Sequence, residues 1–164
     1  MADFSFDVVS KVEMAEVVNA VQQSTKEMAS RFDFKGSKSS ISLDEKKGEI
    51  TVIGDDDMKL KNVLDILQTK LVKRGVALRA LEYGKVEDAA GGTLRQVITL
   101  KQGIAQEKAK QITAAVRESK IKVKTEIRGD EIRISGPKKD DLQATIQLLR
   151  GKDFGIELQF VNFR

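Results

Sequence analysis

Residues 49–54 read Glu-Ile-Thr-Val-Ile-Gly, and residues 131–136 read Glu-Ile-Arg-Ile-Ser-Gly, 82 positions further along the chain. In both runs, apolar residues alternate with polar ones up to a glycine, which is typical of a β-strand with one buried face. The match continues into a helical stripe, in which Leu60, Leu64 and Leu67 correspond to Leu142, Ile146 and Leu149. The chain therefore contains an internal repeat of a strand followed by a helix.

The flanking patterns complete the same order of elements in each half. In the first half we predict strands at residues 4–9, 40–43, 49–53 and 76–83, with helices beginning near Met14 and Asp57. In the second half we predict strands at residues 94–100, 121–127, 131–135 and 156–163, with helices at residues 104–119 and just after Pro137. This βαββαβ order is that of a ferredoxin-like unit, an antiparallel sheet with two helices on one face.

We therefore predict an α+β protein made of duplicated ferredoxin-like units. The first unit is expected at residues 1–88 and the second at residues 89–164, with the polar, glycine-bearing stretch 84–92 as the linker. Local chemistry also predicts the helix ends. Ser10 and Glu13 are interpreted as a capping box. The aspartates at 55–57 are interpreted as a helix cap rather than a metal site, and Gly75 as the residue that ends the second helix.

The composition narrows the chemistry that the chain can perform. It has 164 residues and contains neither cysteine nor histidine. Disulfides, thiolate metal sites, cysteine nucleophiles and histidine-based triads are thus excluded. We predict a binding protein rather than an enzyme, with no cofactor and no metal. Since no secretory signal or membrane-spanning run is visible, we expect a cytoplasmic protein with no membrane partner.

Basic residues are concentrated in the second half, because residues 1–82 carry a net charge of −1 and residues 83–164 a net charge of +5. Strand alternation predicts that the sheet face away from the helices carries a basic and aromatic set: Lys122, Lys124, Arg133 and Phe163, with Arg95 on the opening strand. Cations can neutralise a phosphate, and a ring can stack on a base. We treat this set as candidate nucleotide-binding residues, although an ordinary solvated strand face has the same pattern.

A second candidate is the run Arg31-Phe32-Asp33-Phe34-Lys35-Gly36, which follows the first helix. Phe32 continues the helical stripe, so we predict that it belongs to the core. The stripe does not explain Phe34 or Lys35. Together with Arg31, these two residues are candidates for a nucleotide-binding loop. The alternative is a hydrophobic cap at the end of the helix, followed by a turn.

Five runs in order along nearly the whole chain resemble the YajQ family of small bacterial proteins, described as nucleotide-binding: residues 5–10, 30–36, 100–104, 140–143 and 158–164. The resemblance implies that the opening strands are exchanged, so that residues 4–9 join the second sheet and residues 94–100 join the first. Arg95 would then lie on the open face of the first sheet with Arg79 and Tyr83. Members of the family are reported to bind nucleotides or tRNA, and some are reported as cyclic di-GMP effectors that act through a transcription regulator.

Three functions remain as alternatives at this point. The first is a nucleotide-binding protein, with cyclic di-GMP or another guanine nucleotide as the ligand. The second is an RNA-binding or tRNA-binding protein, whose affinity should fall steeply with salt. Recognition of the RRM type is disfavoured, because the strands at 49–53 and 131–135 carry no aromatic residue. The third is a protein-interaction adaptor that binds no nucleotide.

Overall fold

A computed structural model describes residues 3–164 as two compact units. One unit combines the residues up to Lys11 with Gln102–Arg164, and the other is the continuous segment Val12–Lys101. We call them the discontinuous unit and the continuous unit. Each unit has its own antiparallel sheet and its own hydrophobic core.

The discontinuous unit contains strands β1 (Phe4–Val9), β7 (Lys124–Arg128), β8 (Glu131–Gly136) and β9 (Gln159–Val161), with helices α3 (Gln106–Glu118) and α4 (Lys139–Arg150). The continuous unit contains helices α1 (Met14–Ser30) and α2 (Asp57–Lys73), with strands β2 (Ser40–Asp44), β3 (Glu49–Gly54), β4 (Leu81–Tyr83), β5 (Glu87–Asp88) and β6 (Leu94–Leu100). Three short 3-10 helices lie at Phe32–Phe34, Leu78–Ala80 and Ala90–Gly92.

Both sheets incorporate a strand from the other half of the sequence. In the discontinuous unit the order is β7-β8-β1-β9, so β1 pairs with β8 and β9. In the continuous unit the order is β2-β3-β6-β4, and β5 also pairs with β6. All these pairs are antiparallel. The predicted α+β fold with exchanged opening strands is therefore confirmed.

The alternating residues of the repeated strands form the two cores. Ile50 and Val52 of β3 are fully buried beneath α1 and α2, and Ile132 and Ile134 of β8 are fully buried beneath α3 and α4. The helical stripes predicted from the sequence supply the other side of each core, with Leu60 and Leu67 in one unit and Leu142 and Leu149 in the other. Burial of these aliphatic side chains is the main force that holds each unit together.

The ends of α2 follow the predicted chemistry. Asp56 is the N-cap, and its carboxylate accepts a hydrogen bond from the backbone N–H of Lys59 at 2.8 Å. Gly75 has a φ of +81°, and the Val76 N–H donates to the carbonyl of Leu71, as expected where a glycine ends a helix. Gly54 lies so close to this helix that a Cβ built on it would be 2.6 Å from the Cα of Leu60.

The start of α1 differs from the prediction. The helix begins at Met14 after Glu13, and no side chain caps it, so the capping box is wrong. Ser10 is instead buried, and its carbonyl accepts a hydrogen bond from the N–H of Gly103 at 2.6 Å. Its backbone is thereby held beside the loop that precedes α3.

Several strands are shorter than predicted, because local turns interrupt the alternation. Residues 76–83 contain the 3-10 helix Leu78–Ala80 before β4. The final strand is limited to Gln159–Val161, since the next residue, Asn162, has a φ of +57° and leaves the extended conformation. The stretch 84–92 contains β5, which pairs with β6.

Candidate functional site

The turn that follows α1 separates its two phenylalanines. Phe34 is only 7% exposed and belongs to the core of the continuous unit, whereas Phe32 is 86% exposed. The prediction that Phe32 is a core residue is therefore wrong. The reason is that α1 ends at Ser30 and Arg31 has an extended backbone (φ −84°, ψ 135°), so the helical stripe does not continue to residue 32.

Two cations contact the ring of Phe34. The Arg31 guanidinium carbon lies 5.5 Å from the ring centroid, and the Lys59 Nζ atom lies 4.9 Å from it. The guanidinium also donates to both carboxylate oxygens of Asp33, at 3.0 and 2.9 Å. These hydrogen bonds from Arg31 hold the pKa of Asp33 below its ordinary value. Lys59 Nζ donates to the backbone carbonyl of Asp33, which anchors the turn to the first turn of α2.

Lys35 completes the positive charge of this turn. This lysine is exposed, and its ammonium pairs with no carboxylate among residues 3–164. We call residues 31–35 together with Lys59 the cationic turn. It combines an exposed ring, a cation held in place by an aspartate, and a lysine with no ion-pair partner.

The segment after the cationic turn is fixed by Asp55. The Asp55 carboxylate accepts hydrogen bonds from the hydroxyl of Ser37, from the backbone N–H of Lys38 at 2.9 Å and from the hydroxyl of Ser39. The hydrogen bond from Ser37, with that from the Lys38 N–H, lowers the pKa of Asp55. Asp56 is therefore the aspartate that caps α2 as predicted, whereas Asp55 holds the segment at residues 37–39 instead of the helix.

A cavity of about 200 Å³ lies between α1 and β2. Its lining combines apolar side chains with hydroxyls: Thr25, Met28, Ala29, Phe34, Ser39, Ser40 and Ile41. None of these residues is charged, and the volume is below the roughly 300–1,000 Å³ typical of small-molecule sites. The cavity therefore suits one side chain or ring better than a whole nucleotide with its phosphates.

The candidates on the discontinuous unit lie in a different setting. Arg133 is on the predicted sheet face, but its Nε donates to Asp7 at 3.0 Å, and Asn162 donates to the same carboxylate at 2.8 Å. Asp7 is only 4% exposed. Burial raises its pKa, but the hydrogen bonds and charge of Arg133 and the hydrogen bond from Asn162 outweigh burial, so that the pKa lies below its ordinary value. The charge of Arg133 is thus already neutralised.

Neighbouring cations on this sheet are also paired. Arg128 forms an ion pair with Glu126 at 3.2 Å, and Lys11 forms one with Glu131 at 3.5 Å. Lys124 is exposed on the same face, opposite Ser135 of the adjacent strand, and Lys122 is exposed just before β7 begins.

The alternation predicts that Phe163 lies on the same sheet face as Arg133, and this prediction is wrong. Its ring centroid is 5.8 Å from that of Phe6, which is fully buried in the core on the helix side. The left-handed backbone of Asn162 breaks the alternation of the final strand and brings Phe163 to this position.

The open face of the other sheet carries only part of its expected set. Arg95 lies on that face, opposite Ile53, and forms an ion pair with Glu87 at 3.0 Å. Tyr83 pairs with the buried Ile98, and its hydroxyl accepts a hydrogen bond from Gln68 of α2 at 2.6 Å, so Tyr83 lies on the helix side. Arg79 is in the 3-10 helix before β4.

The eight candidate residues therefore fall into two groups. Arg31, Phe34 and Lys35 share the cationic turn of the continuous unit, which also contains Arg95 on its sheet. Lys122, Lys124, Arg133 and Phe163 belong to the discontinuous unit. The sequence missed Phe32 and Lys59. If the end of α1 at Ser30 had been predicted, the exposure of Phe32 would have followed from it. Lys59 is 26 positions from Asp33, which it contacts, so no local sequence pattern indicates that it belongs to this turn.

This fold places the chain among α+β proteins built from two ferredoxin-like antiparallel sheets with exchanged opening strands. Comparison with known families gives the finer assignment: the chain belongs to the family described as nucleotide-binding protein YajQ-like, whose profile matches residues 4–164. The resemblance of the five sequence runs is thereby confirmed. Within residues 3–164, none of the helices combines the length and apolar character that crossing a membrane requires.

Three curated relatives illustrate the match, and each is named a nucleotide-binding protein. Those of Desulfitobacterium hafniense and Heliobacterium modesticaldum are both 59% identical to this chain over 162 residues, covering 99% of the chain and 98% of the relative. That of Carboxydothermus hydrogenoformans is 53% identical over 163 residues, with 99% of both chains covered. The names of these relatives describe binding proteins and mention no catalysed reaction.

Proposed function

We propose that this chain binds a nucleotide through the cationic turn, and that the ligand is a guanine nucleotide such as cyclic di-GMP. One observation carries the proposal: Phe32 is 86% exposed between Arg31 and Lys35, a lysine that forms no ion pair within the part of the chain that the structure describes. An exposed ring provides a stacking surface for a base, and adjacent cations provide charge for a phosphate. The names of the curated relatives support the same class of ligand.

The cationic turn is a better phosphate site than the face around Arg133. Arg133 already donates to a buried carboxylate, so a phosphate would have to compete with Asp7 for it. Among the described residues, no carboxylate pairs with Lys35, and Lys59 donates to a backbone carbonyl rather than to a carboxylate. Arg31 pairs with both Asp33 and Glu27, so its role here is to hold the turn beside Phe34, and the phosphate is left to Lys35 and Lys59.

Isothermal titration of the purified protein tests the proposal. The panel is cyclic di-GMP, GTP, ATP and bulk tRNA, each at low and moderate salt, and the resemblance puts cyclic di-GMP first. We expect saturable binding of one small nucleotide that persists at moderate salt. Binding of tRNA alone, with an affinity that collapses as salt rises, would instead indicate an RNA-binding protein. If none of the four ligands binds, nucleotide binding is rejected and the protein-interaction adaptor is favoured.

Variants then locate the site. Base stacking on an aromatic ring contributes about 1–3 kcal/mol, so Phe32→Ala should weaken the binding of the nucleotide by about 5- to 150-fold. Lys35→Ala should weaken it and reduce its salt dependence. The matched controls are Phe163→Ala and Lys124→Ala, an exposed ring and an exposed lysine of the other unit. If the controls lose affinity and the first two variants do not, the site is on the discontinuous unit and our assignment is wrong.

A further inference from the structure

Strand β2 has an unprotected edge. It is the first strand of its sheet and pairs only with β3 among the described residues, so its other side presents unpaired backbone groups. Ser40 and Ser42 are exposed, and the last residue, Asp44, is the one charged residue among the five of β2. Natural sheets usually protect such an edge with charged residues, proline or a covering element, since it otherwise pairs with another chain.

The equivalent edge of the other sheet is protected. β7 also occupies the edge position, but three of its five residues are charged: Lys124, Glu126 and Arg128. The register makes the comparison direct, because Ser42 lies opposite Thr51 and Glu126 lies opposite Arg133, the repeat equivalent of Thr51. A serine on β2 therefore occupies the place that a charged residue occupies on β7.

The cavity between α1 and β2 adjoins this edge. β2 contributes Ser40 and Ile41 to the lining, and α1 contributes Thr25, Met28 and Ala29. A strand added beside β2 would run about 4.8 Å from it, with every second side chain on the helix side of the sheet. One of these side chains would be directed toward the cavity, whose uncharged lining and volume of about 200 Å³ suit an aliphatic group.

Two exposed lysines are sequence neighbours of residues that line the cavity. Lys26 follows the lining residue Thr25, and Lys38 precedes the lining residue Ser39. Neither pairs with a carboxylate among residues 3–164, and the Lys38 ammonium contacts only the carbonyl of Gly91, at 3.4 Å. This charge favours a partner that carries carboxylates beside its apolar residue.

We propose that β2 accepts an extended peptide segment of a partner protein as an additional strand. An aliphatic side chain of that segment fills the cavity between α1 and β2, and acidic residues on either side of it lie near Lys26 and Lys38. Main-chain hydrogen bonds to β2 supply affinity, and the cavity and the lysines supply specificity. The proposed groove shares Phe34 with the cationic turn, but it uses neither Phe32 nor Lys35, on which the proposed nucleotide contact depends.

A random peptide library displayed on phage, selected against the full-length protein, provides the probe. We expect the enriched peptides to share one leucine, isoleucine or valine with aspartate or glutamate nearby. One enriched peptide is then synthesised and titrated into ¹⁵N-labelled protein. The backbone amide shifts should concentrate in β2 and in the C-terminal half of α1. Failure to enrich any such sequence, or shifts that concentrate in β7 or β9, would overturn the proposal.

Two variants test the groove directly. Ala29→Phe fills the cavity from an exposed helix position, and Ser42→Lys gives β2 a charged residue of the kind that protects β7. Each variant should bind the synthesised peptide at least about tenfold more weakly. The matched control for Ala29→Phe is Ala15→Phe, at an exposed position of the same helix outside the cavity lining. Unchanged affinity in both variants, or equal loss in the control, would contradict the groove. Nucleotide titration of Ser42→Lys, which lies outside both the cavity lining and the cationic turn, should be unaltered, so failure of this proposal and failure of the nucleotide site are distinguishable.

Discussion

Phe32 and Phe34 lie two positions apart in one turn, yet their replacement by alanine should affect the protein in opposite ways. Phe34→Ala removes a ring that is 7% exposed and packed in the core of the continuous unit. Truncation of a buried phenylalanine typically costs about 3–5 kcal/mol. The cost here should be near the middle of that range, about 4 kcal/mol, because the cavity beside the ring enlarges while Arg31 and Lys59 lose their cation–π contacts.

Phe32→Ala removes a ring that is 86% exposed, so its effect on the free energy of unfolding should stay within about 0.5 kcal/mol. Urea denaturation followed by far-UV circular dichroism measures both variants under the same conditions. In thermal denaturation the difference should appear as a loss of about 8–16 °C in Tm for Phe34→Ala, with almost none for Phe32→Ala.

The same two variants separate folding from binding. Phe32→Ala should lose nucleotide affinity while it keeps the stability of the parent protein. A Phe34→Ala variant that loses less than about 1 kcal/mol, or a Phe32→Ala variant that loses as much as Phe34→Ala, would refute the assignment of the buried and exposed rings. The cationic turn as described would then be wrong.

Three further outcomes follow from the structure. Gly54→Ala should destabilise the protein by about 3 kcal/mol or more in urea denaturation, because the new Cβ would meet the rigid backbone of α2. The repeat-equivalent Gly136→Ala should cost about 1 kcal/mol, and equal losses in the two variants would contradict the close approach of Gly54 to the helix. Because folding lowers the pKa of Asp7, its stabilising contribution is present above the unfolded pKa and is lost as the pH falls through the folded pKa. Asp7→Asn should therefore flatten the fall in the free energy of unfolding below about pH 4. A curve of unfolding free energy against pH that runs parallel to that of the parent protein would count against this role. Asp55→Ala should accelerate hydrogen exchange at the Lys38 amide, since it removes that amide's acceptor; unchanged exchange would mean that Asp55 does not hold this segment.

Periodicity was sufficient to predict the order of elements in this chain. The alternation at 49–54 and 131–136 is clear because one face of each strand is buried and the other is not. The exchange of β1 and β6 could not be read from that alternation. A strand's pattern reports which side of it is buried, and it does not report which strands lie beside it, so the exchange was predicted only through the family resemblance.

The candidate site was only partly predictable, for related reasons. The turn at 31–36 was selected by its unusual composition, but the prediction that Phe32 is a core residue was wrong, because no glycine or proline marks the end of α1 at Ser30. The pairing of Arg133 with Asp7 joins residues 126 positions apart and depends on the exchanged strand, so local sequence could not reveal that this charge is neutralised.

The strand exchange also sets the order in which the sheets can close during synthesis. The continuous unit is complete once Lys101 has left the ribosome, and it contains its own β6. β1 is made first, but β9, its last partner, ends at Val161, 60 residues later. At translation speeds of about 5–20 residues per second, the sheet that contains β1 can therefore be completed only about 3–12 s after the continuous unit has been synthesised. During that interval Phe6 and Val8, fully buried in the finished protein, lack the complete sheet to which they belong.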